Sequence, residues 1–207
     1  MKVVVFACDK YAWLIPTFLH FYQKNWPDNP YETEFVTETK KLDYPNVFYA
    51  GKMEWADRAI KYLKQSTEDK FLFFIDDIII TKKIDTSKIK IAENFCKNEI
   101  GCVKLTEHNS WSKFLIGDGS VGYKVYPSNK SYSMCMQVAI WQKSYFLGAL
   151  RPGENIWQNA IQGSKRMPKL NKKIIWLNTP IVEYWPRGYM RVGEIVGHVS
   201  KWVKENW

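Results

Sequence analysis

The sequence predicts an α/β domain built on a central, mainly parallel mixed sheet flanked by helices. Three observations carry that expectation. The first hundred residues alternate short apolar runs with amphipathic stretches, the strand-helix-strand rhythm of a parallel sheet. The runs Lys2–Ala7 and Lys70–Ile75 show no apolar-polar alternation, so both read as strands buried on two faces. The second of these runs meets two adjacent carboxylates, Asp76 and Asp77, before the apolar character resumes at Ile78. Two unpaired carboxylates inside a strand would carry a large desolvation cost or shift their pKa values. The strand is therefore expected to stop at Ile75, leaving the pair at its carboxyl edge, where open α/β sheets hold their ligands. A hard divalent cation on a nucleotide diphosphate would supply the missing countercharge. The alternative is a solvated turn whose aspartates cap the next segment.

The remaining elements follow in chain order. After Lys2–Ala7 and a turn at Asp9-Lys10, Leu14–Trp26 reads as a helix with an apolar stripe at Leu14, Phe18, Phe21, Tyr22 and Trp26. Pro16 suits its first turn, and Trp26-Pro27-Asp28-Asn29-Pro30 ends it. Glu34–Thr37 and Val47–Tyr49 are short strands, and Glu54–Gln65 is a helix with Trp55, Ala59, Ile60 and Leu63 on one face. Asp85–Lys97 is a helix capped by Asp85, Thr86 or Ser87, and Gly101–Thr106 is a strand. The stretch Glu107–Ser131, rich in glycine, serine and asparagine, reads as a long functional loop containing a strand-like Tyr123–Tyr126. Beyond it come a strand at Met134–Trp141, helices at Ser144–Leu150 and Asn155–Gln162, and strands at Lys173–Leu177 and Ile181–Tyr184. The tail Pro186–Trp207 closes with a short amphipathic segment. With no repeat and no linker, residues 1–207 read as one domain.

Composition bounds the function. Hydrophobic residues make up 46% and aromatics 16% of the 207 residues, enough for a substantial core and against wholesale disorder. The net charge of +9 suggests anionic partners (nucleotide phosphates, nucleic acid or an acidic surface), but the lysines are scattered with no long basic run, so ordinary solubilising surface lysine explains most of it and nucleic acid is disfavoured. Cys8, Cys96, Cys102 and Cys135 lack metal-finger spacing. Cys8 and Cys135 lie in apolar, strand-like runs and fit a reducing compartment. The first apolar run ends after seven residues at Asp9-Lys10, so it reads as a strand and not a leader, and no run is long enough to span a membrane. A soluble, cytoplasmic protein is the expectation. Ten tryptophans suit either core packing or stacking on sugar faces.

Several motifs, taken in order, resemble GT-A glycosyltransferases. They are Cys8-Asp9-Lys10-Tyr11, Trp26-Pro27-Asp28, Trp55-Ala56-Asp57-Arg58, Ile75-Asp76-Asp77, Gln137-Val138-Ala139-Ile140-Trp141 and Gly153-Glu154-Asn155-Ile156-Trp157 ahead of Gly163-Ser164. Within that family the pattern is most similar to the small chlorella-virus domain that decorates the major capsid protein. The resemblance implies a UDP-sugar donor, rhamnose or glucose first, with Mn²⁺ or Mg²⁺ and transfer to a growing glycan. If the chain is viral, its place would be the cytoplasm of the infected cell. It implies a nucleotide-sugar half at 1–106 and an acceptor half with a closing segment at 107–207.

Where the family writes Asp-x-Asp, this chain has Ile-Asp-Asp, which assigns the metal to Asp77 and the ribose or donor sugar to Asp76. A second ligand from the C-terminal region would be His198. Arg58, Arg187 and Arg191 would face the diphosphate, and Ala7, Cys8, Asp9 and Tyr11 the uridine. Gln137 matches the position opposite the anomeric carbon in retaining relatives, whereas Glu154 is the carboxylate base an inverting enzyme would need. Gln158-Asn159-Ala160 stands where similar bacterial proteins carry a further glutamate, which favours retention. Trp157, Trp111 and Tyr132 are candidates to stack on the acceptor, and Asp118 to bind one of its hydroxyls. The rival readings are a DNA-modifying glycosyltransferase, a nucleotidyltransferase and a non-enzymatic carbohydrate-binding domain.

Overall fold

Among the described residues eight runs hydrogen-bond into one sheet: β1 (Lys2–Phe6), β2 (Thr33–Thr37), β3 (Val47–Tyr49), β4 (Lys70–Ile75), β5 (Ile100–Lys104), β6 (Tyr123–Tyr126), β7 (Ala139–Gln142) and β8 (Lys173–Leu177). Their spatial order is β3-β2-β1-β4-β7-β5-β8-β6. β1 lies parallel to β2 and β4, β2 to β3, and β5 to β8, while β7 and β6 run antiparallel to their neighbours. A small hairpin, β9 (Met190–Arg191) and β10 (Glu194–Ile195), stands apart. This computed structural model describes residues 1–106, 112–117, 120, 122–185, 189–191 and 194–207, without the side chains of Ser112 and Arg191.

Each face of the sheet has its own helices. Val3, Val5, Phe35, Leu72 and Phe74 pack against α1 (Ile15–Asn25) and α3 (Thr86–Phe95) through Ile15, Phe18, Tyr22, Ile89 and Ala92. On the other face, Val4, Phe6, Phe71, Phe73 and Trp141 meet α2 (Trp55–Gln65) and α4 (Lys143–Ala149), which contribute Trp55, Ala59, Leu63 and Phe146. Helix α5 (Ile156–Arg166) contacts α2 and α4. Alternate residues of β1 and β4 thus face opposite cores, which is why both runs lack a polar phase. The expected stripe of the first helix is buried throughout, at Leu14, Phe18, Phe21, Tyr22 and Trp26. Asp85 caps α3 by accepting from the amides of Ser87 and Lys88. Helix α6 (Gly197–Asn206) lays Val199 and Val203 on Leu14, Phe21 and Ile79, closing the chain over α1.

Two expected strands differ. Met134–Trp141 pairs regularly only as β7, because the Met134 amide donates to the Ser164 hydroxyl instead of to a ladder. Cys135 accordingly lies outside any strand, as does Cys8, just beyond β1. Ile181–Tyr184 forms no strand: the amides of Ile181 and Val182 both donate to the Leu105 carbonyl, which bends the chain and leaves one isolated bridge, Ile80 to Tyr184. Among the described residues no helix is long and apolar enough to cross a membrane.

Packing between β5 and α4 is close enough to test. A Cβ at Gly101 would stand 2.2 Å from Cδ1 of Tyr145, a ring 1% exposed. Gly101→Ala is expected to lose about 1–3 kcal/mol of stability in urea denaturation; an unchanged midpoint would show that this interface has slack.

Candidate functional site

The sheet turns from one direction of strand order to the other between β1 and β4, the position at which a ligand crevice forms in open α/β sheets. β1 and β4 pair in register up to Phe6 and Ile75, and the Asp76 amide then donates to the Phe6 carbonyl at 3.2 Å. That last bond fixes Asp76 and Asp77 at the carboxyl edge, as the sequence requires. Asp76 is 7% exposed, and its Oδ2 has no hydrogen-bond partner among the described residues; the same holds for Oδ1 of Asp77. Burial and the neighbouring Asp77 charge push the Asp76 carboxyl well above its ordinary value, and burial pushes Asp77 to about 7. Two adjacent buried carboxylates, each with one oxygen that has no partner among the described residues, have the chemistry of donors to a hard cation. The Asp77 carboxylate also accepts from the Met190 backbone, and its carbonyl accepts from the Tyr189 amide at 2.8 Å, so the 189–190 segment covers this corner.

Around the pair the ends of β1 and β2 form a second layer. Ala7 is buried, its amide bonded to the Val36 carbonyl at 2.9 Å, and Cys8 is half-buried with its thiol pushed up by burial and by Asp76. Asp9 accepts from the Thr39 hydroxyl at 2.6 Å and from the amides of Thr39 and Lys40 at 3.0 and 2.8 Å. Burial is the largest single influence and raises its carboxyl, but these bonds together outweigh it and hold the carboxyl below the usual range. Glu38 accepts from the Asp9 amide at 2.9 Å and ion-pairs with Arg58, which α2 presents from its first turn. Arg58 is 5% exposed, its Nε has no acceptor among the described residues, and its charge acts on both Asp76 and Cys8. Tyr11 follows in a short 3-10 helix, Asp9–Leu14, its amide bonded to the Cys8 carbonyl at 3.0 Å.

Beyond Asp77 lies a polar cluster that the sequence reading did not assemble. Tyr184, close enough to feel the Asp77 charge, hydrogen-bonds Gln137, and the Gln137 Oε1 lies 3.1 Å from the Cys135 Sγ. Lys104, 1% exposed at the end of β5, completes it. For Lys104 the burial penalty is outweighed by Cys135, so its ammonium is held above the usual range. A lysine inside the apolar run Ile100–Leu105 was the available signal for this cluster. The rule that ligands gather at strand carboxyl edges was the signal for Glu38 and Thr39.

Other expected residues are placed differently. Glu154 is held by both guanidinium nitrogens of Arg166, at 2.9 and 2.5 Å, and by Asn159 at 3.0 Å. Burial would raise its carboxyl, but Arg166 and Asn159 hold it below the usual range, which suits an anchor for α5 better than a proton acceptor. His198 is exposed on the first turn of α6, its ring 5.4 Å from that of Trp185. No group of three His, Cys, Asp or Glu side chains suited to a metal forms among the described residues, so His198 does not join the aspartates. Trp157 is 70% exposed and Tyr132 is exposed with φ of 60°, while Gln137 is half-exposed. Trp111, Asp118 and Arg187 lie outside the described residues, and of Arg191 only the backbone, in β9, is described.

No protein-family model matches the chain, and neither does any curated protein. Solved structures do. S. aureus TarS 1-349 superposes with a TM-score of 0.56 at 14% identity, covering 89% of this chain and 60% of that one. The mannosyltransferase PcManGT from Pyrobaculum calidifontis, in complex with GDP-Man and Mn²⁺, gives 0.58 at 12% identity, covering 98% of this chain and 60% of that one. CMP:2-keto-3-deoxy-manno-octonic acid synthetase, complexed with CTP, gives 0.58 at 9% identity, covering 100% and 98%. The chain therefore spans about three fifths of the first and second of these and nearly all of the third. At these identities the likeness is one of fold, and the fold is of the GT-A, Rossmann-like kind.

The electrostatics make a pH prediction. Asp77 titrates near 7 in the folded chain against about 4 when unfolded, so its contribution to stability is present below about pH 4 and is lost as pH rises through 7. Asp76 shifts in the same direction. In chelator, the thermal midpoint should fall between about pH 5 and pH 8, and Asp77→Asn should shrink that fall. A midpoint that rises over the same interval would contradict the assignment.

Proposed function

We propose that the chain is a divalent-metal-dependent glycosyltransferase, moving a sugar from a UDP-sugar to a glycan acceptor. Rhamnose or glucose is the donor sugar to test first, with retention of configuration, and the setting is glycoprotein glycan synthesis of the chlorella-virus kind. The observation that carries this reading is the pair of buried, unpartnered carboxylate oxygens on Asp76 and Asp77 at the β1–β4 switch point. A fold shared with an enzyme solved with GDP-Man and Mn²⁺ supports it.

In this reading Asp77, with Asp76 beside it, would hold Mn²⁺ or Mg²⁺ against the donor diphosphate. When bound, the cation neutralises charge that builds on the departing UDP. The residues of the chain do the rest. Asp9 ties the end of β1 to the turn after β2, shaping an edge of backbone amides and the Thr39 hydroxyl for the nucleoside. Arg58, kept rigid by Glu38, presents positive charge to the phosphates. Gln137, oriented by Tyr184, offers its amide to the face of the sugar opposite the leaving group. The 189–190 segment over Asp77, with Arg187 and Arg191 near it in sequence, excludes water that would otherwise hydrolyse the donor. Exposed Trp157 and Tyr132 give the acceptor aromatic faces to stack on, with Trp111 and Asp118 as further candidates.

A second reading has its own support: the likeness to the CTP-complexed synthetase spans almost the whole of that chain. A nucleotidyltransferase would release pyrophosphate from a nucleoside triphosphate, whereas a glycosyltransferase releases nucleoside diphosphate from a sugar nucleotide. Transfer to DNA and binding without catalysis are the other outcomes that a product assay would reveal.

Titration calorimetry of UDP with Mn²⁺ tests the proposal. Asp77→Asn should weaken binding at least tenfold, about 1.4 kcal/mol, and chelator should do the same to the unmodified chain. Equal affinity for GDP or CMP, or binding indifferent to both Asp77→Asn and chelator, would overturn it. Arg58→Lys should weaken UDP more than uridine, because the forked contact it would lose is to phosphate; equal losses would place Arg58 away from the diphosphate.

A further inference from the structure

Lys104 and Cys135 form a contact that the proposed transfer does not use. The Lys104 Nζ lies 4.8 Å from the centre of the Trp141 ring, 3.4 Å from the Cys135 carbonyl oxygen and 2.7 Å from the Cys135 Sγ. No carboxylate among the described residues lies within ion-pair distance of it. The thiol of Cys96, by comparison, sits 3.7 and 3.9 Å from its carbonyl partners. Nitrogen-to-oxygen hydrogen bonds span about 2.7–3.2 Å, and sulfur, being larger, belongs farther out. At 2.7 Å the nitrogen and sulfur are spaced as two atoms sharing one bridging atom.

We propose that Lys104 and Cys135 are a modification site, in which a peroxide-class oxidant joins Nζ to Sγ through a single oxygen as a reversible N–O–S crosslink. Cys135 is half-buried, so a small oxidant reaches it. Its sulfur attacks one peroxide oxygen; the O–O bond breaks, sulfenic acid forms and one water leaves. Burial of Lys104 works toward the neutral amine, the nucleophilic form. Nitrogen bonds to the sulfenic oxygen while a second peroxide takes up two electrons. One N–H proton and the sulfenic proton leave with its oxygens as two waters. In sum, one thiol, one amine and two hydrogen peroxides give the bridge and three waters. Two equivalents of a dithiol restore the thiol and amine with release of one water.

The surroundings hold both partners in place. Trp141 fixes the lysine, and the connector carrying Cys135 is pinned by the Met134 amide on the Ser164 hydroxyl at 3.0 Å. The crosslink would lock that connector, which also bears Gln137, beside the aspartate corner. The modification itself does not depend on the transferase reading.

The test is mass spectrometry of the full chain, reduced, freed of reductant without air and then titrated with hydrogen peroxide. The expected product gains about 14 Da (one oxygen in, two hydrogens out), resists trypsin after Lys104, maps to the joined Lys104 and Cys135 peptides, and reverts with dithiothreitol. Cys135→Ser should abolish it. Cys8 is also half-buried but touches no lysine nitrogen among the described residues, so it should gain oxygen without losing hydrogen. Cys135 carrying only sulfinic or sulfonic acid, pairing as a disulfide, or remaining unmodified in natively folded protein would overturn the proposal. Lys104→Met alters a buried position, so the unmodified chain and Cys135→Ser decide the matter.

Discussion

The organisation of this protein turns on two carboxylates placed where a doubly buried strand runs out. β4 is covered on both faces by aromatic and aliphatic side chains, so nothing within it can solvate charge. Asp76 and Asp77 stand at the first positions where the sheet no longer demands apolar residues, and the surroundings are still dry enough to raise both pKa values. A chain free of functional demand would relieve that tension by an amide, a serine or a lysine partner. Here the carboxylates remain, their burial opposed at Asp76 by the backbone of Cys8 and Asp76 and, less, by a guanidinium shared with Glu38, and at Asp77 by the backbone of Asp77 and Met190. Paired carboxylates, each with one oxygen that has no partner among the described residues, are the donor set to which the proposed function assigns its cation.

Rigidity comes from the neighbours. The bond from the Asp76 amide to Phe6 ties the pair to β1, Asp9 ties the end of β1 to the turn after β2, and Glu38 links that turn to Arg58 on α2. Three strands and a helix thus converge on one corner through side chains that satisfy one another. The C-terminal part adds a cover, because the Tyr189 amide reaches the Asp77 carbonyl and α6 packs back onto α1.

Much of this was legible in the amino-acid order. The end of β4 at Ile75 followed from the cost of burying Asp76 and Asp77, and β3, β6 and β8 appear at the positions their apolar runs marked. The Asp85 cap and the stripe of α1 were likewise local properties. What could not be read was set by partners distant in sequence. Ile181–Tyr184 has strand-like composition, yet a bend at the Leu105 carbonyl takes it out of the ladder. Glu154 looked like a free base until Arg166, one turn past the end of the expected helix, closed on it. His198 was attractive because histidine ligates metals, but α6 turns it outward beside Trp185. Lys104 stands out only as a lysine within an apolar run, and only the fold brings Cys135 to it.

The central claim is that the Asp76–Asp77 corner binds a divalent cation together with a nucleoside diphosphate. The most direct measurement is anomalous diffraction at the manganese edge from crystals grown with Mn²⁺ and UDP. The account predicts one strong peak between these carboxylates and the diphosphate oxygens. Density for the nucleotide elsewhere, or an ordered structure with no peak at the end of β4, would contradict it.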